Sequence, residues 1–230
     1  MFALLRAMLL CGVVVLPALA QESRTFPGLD DLPVAGGDEK VVAVDPKVLR
    51  KKLGAKDIKW DPKPGVLSLA YDFNKGQDKD WEIQDDCISR PSNVKGIRLA
   101  AATKIVHKVM FTEGSCSFQF AISQIDDKGP LLSAGDVVVR QHMFNDRSFF
   151  LNNKEANLGN DSDKVRVFAV SLLCQEKRCS LKVNRSEVAF GRDSGQPFQF
   201  VLQGGENGGE FGSLTIAGKP EKKWLAEIMK

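Results

Sequence analysis

From Val66 onward, hydrophobic and polar positions alternate along most of the chain. The clearest run is Cys116–Ser123. Cys116, Phe118, Phe120 and Ile122 share one face, and Ser117, Gln119, Ala121 and Ser123 share the other, which is the pattern of a half-buried strand. Related runs predict strands at Val66–Phe73, Trp81–Gln84, Gly96–Ala101, Lys104–Phe111, Val137–Phe144, Ser148–Leu151, Val165–Leu173, Ser180–Val183, Val188–Phe190, Phe198–Gln203 and Ser213–Ile216. Turn signals separate them: Glu113-Gly114-Ser115, Asp126-Asp127-Lys128-Gly129, Asn145-Asp146, and the glycine-rich stretches at 191–195 and 204–209. Many short strands joined by such turns predict an all-β chain, folded as an antiparallel sandwich or barrel.

The pattern differs at both ends. Residues 21–64 read as an extension, with a short strand at Val41–Val44 and two helical turns at Lys47–Leu53. Asp45 is placed to cap that helix, Pro46 to open it and Gly54 to close it. Asp61-Pro62-Lys63-Pro64-Gly65 ends the extension with strong breakers. Residues 219–230 read as a short helical tail with Trp224, Leu225 and Ile228 on one face. Residues 1–20 read as a secretory signal: Arg6, the apolar run Ala7–Leu16, then small residues at Ala18 and Ala20. A membrane anchor is the competing reading, but the run is short for a span of about 20 residues. The mature protein is therefore expected to be secreted or periplasmic, with no transmembrane segment.

Composition narrows the chemistry. Of the five cysteines, Cys11 falls in the signal, leaving Cys87, Cys116, Cys174 and Cys179. An even number in an exported chain reads as two disulfides. Three pairings are open. The polar turn Gln175–Arg178 brings Cys174 opposite Cys179, which leaves Cys87 for Cys116. The paired short spacings of a four-thiolate zinc site are absent, and two histidines are too few for a histidine-rich centre, so neither a metal nor another cofactor is expected. Removing Arg6 with the signal lowers the formal net charge from +3 to +2, which gives no footprint for nucleic acid. Fourteen Phe stand against three Trp and one Tyr; the Phe recur at alternate strand positions and read as core.

Several stretches resemble the concanavalin A-like jelly roll, the superfamily of lectins, laminin-G modules and related glucanases, in its secreted bacterial form. Tyr71-Asp72-Phe73 followed by Trp81-Glu82-Ile83 is similar to the opening of such domains. Lys104–Phe111 with Cys116–Ser123 resembles their central strand pair. Val165–Leu173, a turn and Ser180–Asn184 resemble their hairpin, with Arg185 where that hairpin has glycine. Phe198–Gly204 and Phe211–Gly218 resemble the closing strands. The resemblance covers residues 65–218 and implies a two-sheet antiparallel jelly-roll sandwich, flanked by the extension and the helical tail.

The resemblance implies a carbohydrate or another cell-envelope component as partner. Within Val137–Phe144, Arg140 and His142 share one face, with Asp136 at the strand's start. These three are the candidate ligand-binding residues, since a guanidinium, an imidazole and a carboxylate can all hydrogen-bond a sugar. A polar outer sheet face without a ligand is the plain alternative. His107 alternates with Ile105, Val109 and Phe111 and reads as a core histidine. No strand carries the Glu-x-Asp-x-x-Glu run of glucanases, so no catalytic residue is assigned and the expected function is non-catalytic binding. A hydrolase with carboxylates on separate loops, drawn from Asp85-Asp86, Asp126-Asp127, Glu206 or Glu210, is one alternative. A structural scaffold of the envelope is the other.

Overall fold

The computed structural model describes residues 43–73, 77–83, 88–89, 94–121, 128–142, 148–156, 158, 167–192 and 195–230. The signal segment, Val41 and Val42 of the expected strand Val41–Val44, Asp85-Asp86, Cys87 and Asp126-Asp127 lie outside the described residues.

In chain order the elements are α1 (Pro46–Lys52), β1 (Asp57–Asp61), β2 (Val66–Tyr71), a 3-10 turn (Gln77–Asp80), β3 (Trp81–Ile83), β4 (Ile88–Ser89), β5 (Gly96–Leu99), β6 (Lys104–His107), β7 (Phe111–Ala121) and β8 (Lys128–Ala134). There follow β9 (Val137–His142), β10 (Ser148–Leu151), β11 (Lys154–Ala156), β12 (Val167–Cys174), β13 (Arg178–Val183), β14 (Ser186–Gly191), β15 (Phe200–Gln203), β16 (Gly209–Pro220) and α2 (Lys222–Ile228). The described strands form two antiparallel sheets. One runs β1-β2-β16-β7-β12-β13-β14, with β5 also on β16 and β4 outside β5; the other runs β11-β10-β9-β8-β15-β6-β3. This is the two-sheet sandwich that the alternation predicts.

Phenylalanine fills the space between the sheets. Phe118, Phe120, Phe149, Phe168 and Phe211 form a continuous run of ring contacts, with centroids 5.2–6.4 Å apart. Phe120 on β7 reaches Phe149 on the opposite sheet, and Phe111 on β7 reaches Phe200 on β15 at 5.7 Å. These rings are buried, which accounts for the skewed aromatic composition. Cys116 and the alternate residues after it face this core, as their parity requires.

The segment ahead of Val66 is built onto the sandwich. Asp45 accepts a hydrogen bond from the Lys47 backbone N–H at 2.8 Å, Pro46 occupies the first helical position, and Leu49 is buried. Arg50, Lys51 and Lys52 fall at the negative end of the helix dipole. The breaker run 61–65 is the turn of a hairpin: β1 pairs with β2 from Asp57↔Ala70 to Asp61↔Val66 and becomes a sheet edge. Hence residues 57–61, read from the sequence as part of an extension, belong to the nine-stranded sheet. At the other end Leu225 is buried, and Trp224 and Ile228 pack on the core.

One glycine fixes the crossing of β5 over β16. A Cβ on Gly96 would stand 1.7 Å from the Phe211 carbonyl oxygen, so only glycine lets the two backbones meet there. At the β13–β14 turn Asn184 takes φ +53°, which asparagine tolerates, so the turn closes although Arg185 replaces the expected glycine.

Candidate functional site

The outer face of the seven-stranded sheet carries the site. On β9, Val137, Val139 and Gln141 point inward and are buried. Val138, Arg140 and His142 point outward, and Arg140 is exposed. Strand register sets their neighbours. Lys128 lies opposite His142 and Pro130 opposite Arg140 on one side; Phe150 lies opposite Arg140 on the other. These side chains, with Gly129, Asn152, Asn153 and Glu206, line an open groove of about 600 Å³.

Each lining residue is held by its local structure. A register shift between Pro130 and Leu132 makes β8 bulge, so Leu131 and Leu132 are both buried while Lys128 and Pro130 remain on the groove side. Asn152 sits at φ +51° in the β10–β11 turn. Its Oδ1 accepts from the Val138 N–H at 2.8 Å, and its own N–H donates to the Val138 carbonyl at 2.7 Å. Glu206 comes from the loop before β16 and pairs with Lys128 at 3.6 Å, both side chains being more than half exposed. Beyond the groove the same face carries Val138, Ser133, Val201 and Val106 side by side across four strands, three valines and a serine.

Arg140 and His142 thus share the groove. Asp136 stands apart. Six extended residues separate it from His142, a distance of about 20 Å. Its Oδ1 instead accepts from Arg192 Nε at 3.2 Å. Arg192 is almost wholly buried, stacks over Phe198 at 5.0 Å and donates to the Gln196 carbonyl, so Asp136 serves as counter-ion to a buried guanidinium. The sequence gives no sign of this pairing because 56 positions separate the partners.

Among the described residues Cys116, Cys174 and Cys179 are free thiols, and Cys87, the partner expected for Cys116, lies outside the described residues. Cys116 is buried between the sheets, and burial pushes its thiol pKa up. Cys174 and Cys179 stand directly opposite each other, as the turn between them predicts. The Gln175–Arg178 and Ala169–Asn184 hydrogen bonds put odd-numbered β12 positions in bonded pairs, so Cys174–Cys179 is a non-bonded pair, where side chains approach most closely. The two thiols share a hydrogen bond, which lowers the Cys179 pKa and raises that of Cys174.

His107 belongs to a separate, buried chain of hydrogen bonds. The Asp80 carboxylate accepts from the Gly54 and Ala55 N–H groups at 2.7–2.9 Å and from the Tyr71 hydroxyl at 2.9 Å. That donation uses the one hydroxyl proton of Tyr71. The 2.8 Å contact between Tyr71 Oη and His107 Nε2 therefore requires a proton on Nε2. Nδ1 is then free to accept from the Val109 N–H at 3.3 Å. His107 is thus neutral with its tautomer fixed, and burial lowers its pKa from 6.5 to about 3. Asp80, Tyr71 and His107 are all at most 2% exposed, so this chain has no access to a ligand. It ties the end of α1 to the sandwich.

No protein-family profile and no curated protein matches the sequence. Solved structures do match in fold. The Bacillus licheniformis beta-glucanase superposes with a TM-score of 0.51 at 10% identity, covering 66% of this chain and 98% of that one. The Crh5 transglycosylase in complex with NAG gives 0.50 at 11% identity, covering 66% and 83%. Carbohydrate binding module CBM66 from Bacillus subtilis gives 0.47 at 13%, covering 60% and 94%. The chain shares with the glucanase and the transglycosylase the fold of a two-sheet jelly-roll sandwich.

On this jelly roll, Glu206 is the carboxylate among the described groove-lining residues, and it is tied to Lys128. Glu210, its sequence neighbour, is buried within β16. Sequence reasoning named Glu206 only as a candidate loop carboxylate and did not find Lys128, Pro130, Phe150, Asn152 or Asn153. The signals for two of them were present but masked. Phe150 lies in the unbroken apolar run Phe149–Leu151, which hides its outward parity, and Lys128 reads as part of a turn.

Proposed function

We propose that the protein is a non-catalytic binder of carbohydrate, or of a carbohydrate-bearing component of the cell envelope, and that the groove over β8, β9 and β10 holds the ligand. The observation that carries this reading is the register. It sets an aromatic face, Phe150, directly beside Arg140 and one residue pair from His142 and Lys128. Sugar recognition uses this combination: an apolar ring face against the apolar face of a pyranose, with hydrogen-bonding groups at its rim. Asn152 and Asn153 add amide groups at one end of the groove. The jelly-roll neighbours, a glucanase and a transglycosylase with bound NAG, make a glycan the natural ligand class.

A glycan array followed by calorimetry tests this reading. Binding that is lost in both Phe150→Ala and His142→Ala supports it. Binding that survives both, or no binding to any glycan, overturns it. The second reading, a hydrolase, draws on Glu206. It requires release of reducing sugar from polysaccharide that stops with Glu206→Gln.

A further inference from the structure

We infer that the groove is selective for an anionic saccharide, one whose sugar carries a carboxylate or sulfate, and that Arg140 is the residue that selects it. This deepens the reading of the groove as a glycan site and rests on it.

The argument is one of charge placement. The groove carries the cations Lys128 and Arg140, the titratable His142 and the carboxylate of Glu206. Glu206 lies 3.6 Å from Lys128, so the charge it brings is met there. Arg140 has no such neighbour. The residues directly across from it are Pro130 and Phe150, neither with a charge. The next side chain along that row, Glu155, is across from Phe150 rather than Arg140, and accepts from the Ser148 hydroxyl. Among the described residues the Arg140 side chain makes no hydrogen bond or ion pair. Arg140, set between Phe150 and Pro130 by register, is exposed and offers its planar fork of donors to the groove. Such a fork matches the paired oxygens of a carboxylate or sulfate. A neutral sugar would leave that charge unused. His142, on the same face of β9 two residues on, adds a further hydrogen-bonding group beside Arg140.

Affinity electrophoresis and calorimetry with polygalacturonate test the inference. Carboxyl-reduced polygalacturonate supplies the matched neutral polymer, and chondroitin sulfate supplies sulfate. Binding to polygalacturonate at least tenfold tighter than to its reduced form is expected, weakened tenfold or more in Arg140→Gln and recovered in part by Arg140→Lys. Tighter binding to chondroitin sulfate, which carries both anions, supports the preference for charge, and binding to kappa-carrageenan, sulfated but free of carboxylate, with the same Arg140 dependence assigns the anion as sulfate. Equal binding to the charged and reduced polymers, or full affinity in Arg140→Gln, overturns selectivity while leaving the glycan site in place. Binding to no polysaccharide overturns the site itself. Lys59→Gln, on the edge strand of the other sheet, controls for non-specific attraction and leaves affinity unchanged if the inference holds.

Discussion

Acid should unfold this protein through His107. The group is fully buried and neutral, with Nδ1 accepting from Val109 and Nε2 donating to Tyr71. A second proton has to go on Nδ1, where it would meet the Val109 N–H head-on. Because the folded pKa, about 3, lies below the ordinary 6.5, the folded state binds fewer protons than the unfolded chain between those values. The stability this contributes is complete above pH 6.5 and is lost as pH falls toward 3. The loss is about 1.4 kcal/mol per pH unit, or roughly 4–5 kcal/mol over the full window. That is comparable with the whole stability of many domains, about 5–15 kcal/mol. Asp80 acts in the opposite sense. Burial raises its pKa, so the fold favours its proton, and that gain is lost as pH rises through the folded value. Comparison with His107→Gln isolates the histidine, since the glutamine amide can still donate to Tyr71 but does not titrate. Urea denaturation followed by Trp fluorescence from pH 7 to 4 should show the wild-type stability falling more steeply than that of the variant, by about one proton's slope. Parallel slopes would refute the reasoning. So would a nitrogen NMR titration of wild-type His107 with its midpoint near 6.5, a measurement that stands even if the variant does not fold.

Other outcomes follow from the same geometry. Asp136→Asn should cost about 1 kcal/mol in thermal melts, a figure reduced from that of a buried pair because half of Asp136 meets water, and should leave glycan affinity unchanged. Oxidation of the protein with glutathione disulfide should join Cys174 to Cys179, giving a mass loss of two hydrogens on that peptide and about 2 kcal/mol of stability for so short a loop. Persistence of both thiols in non-reducing peptide maps would contradict it. Gly96→Ala should destabilise by about 3 kcal/mol or more, because the new methyl collides with the Phe211 carbonyl; a melting temperature equal to wild type would refute that crossing.

The parts of the fold that the sequence revealed are those where each side chain's parity matches its burial. The Cys116 to Phe120 face, the β12–β13 hairpin and the outward placing of Arg140 and His142 could all be read from period-two spacing. β8 could not, because its bulge buries two successive leucines and breaks the period. Only the ends of β16 went unread beyond Phe211–Gly218: Gly209 reads as part of a turn but stands where a Cβ would meet the Phe120 ring. β1 was hidden because an edge strand ending in aspartates buries no side chain completely. At the site, sequence supplied the two residues on one strand and Glu206 as a loop carboxylate, and missed those brought in by register from β8 and β10. The Tyr71–Asp80–His107 chain was equally invisible, since its links join positions 9 and 36 apart.

The central claim is that ligand binds the outer face of the seven-stranded sheet across β8, β9 and β10. Amide chemical-shift mapping during titration with a bound oligosaccharide tests it most directly. The account predicts perturbations concentrated at Lys128–Pro130, Arg140–His142, Phe150 and Asn152–Asn153. Perturbations confined to the nine-stranded sheet, or to the β1 edge, would contradict it.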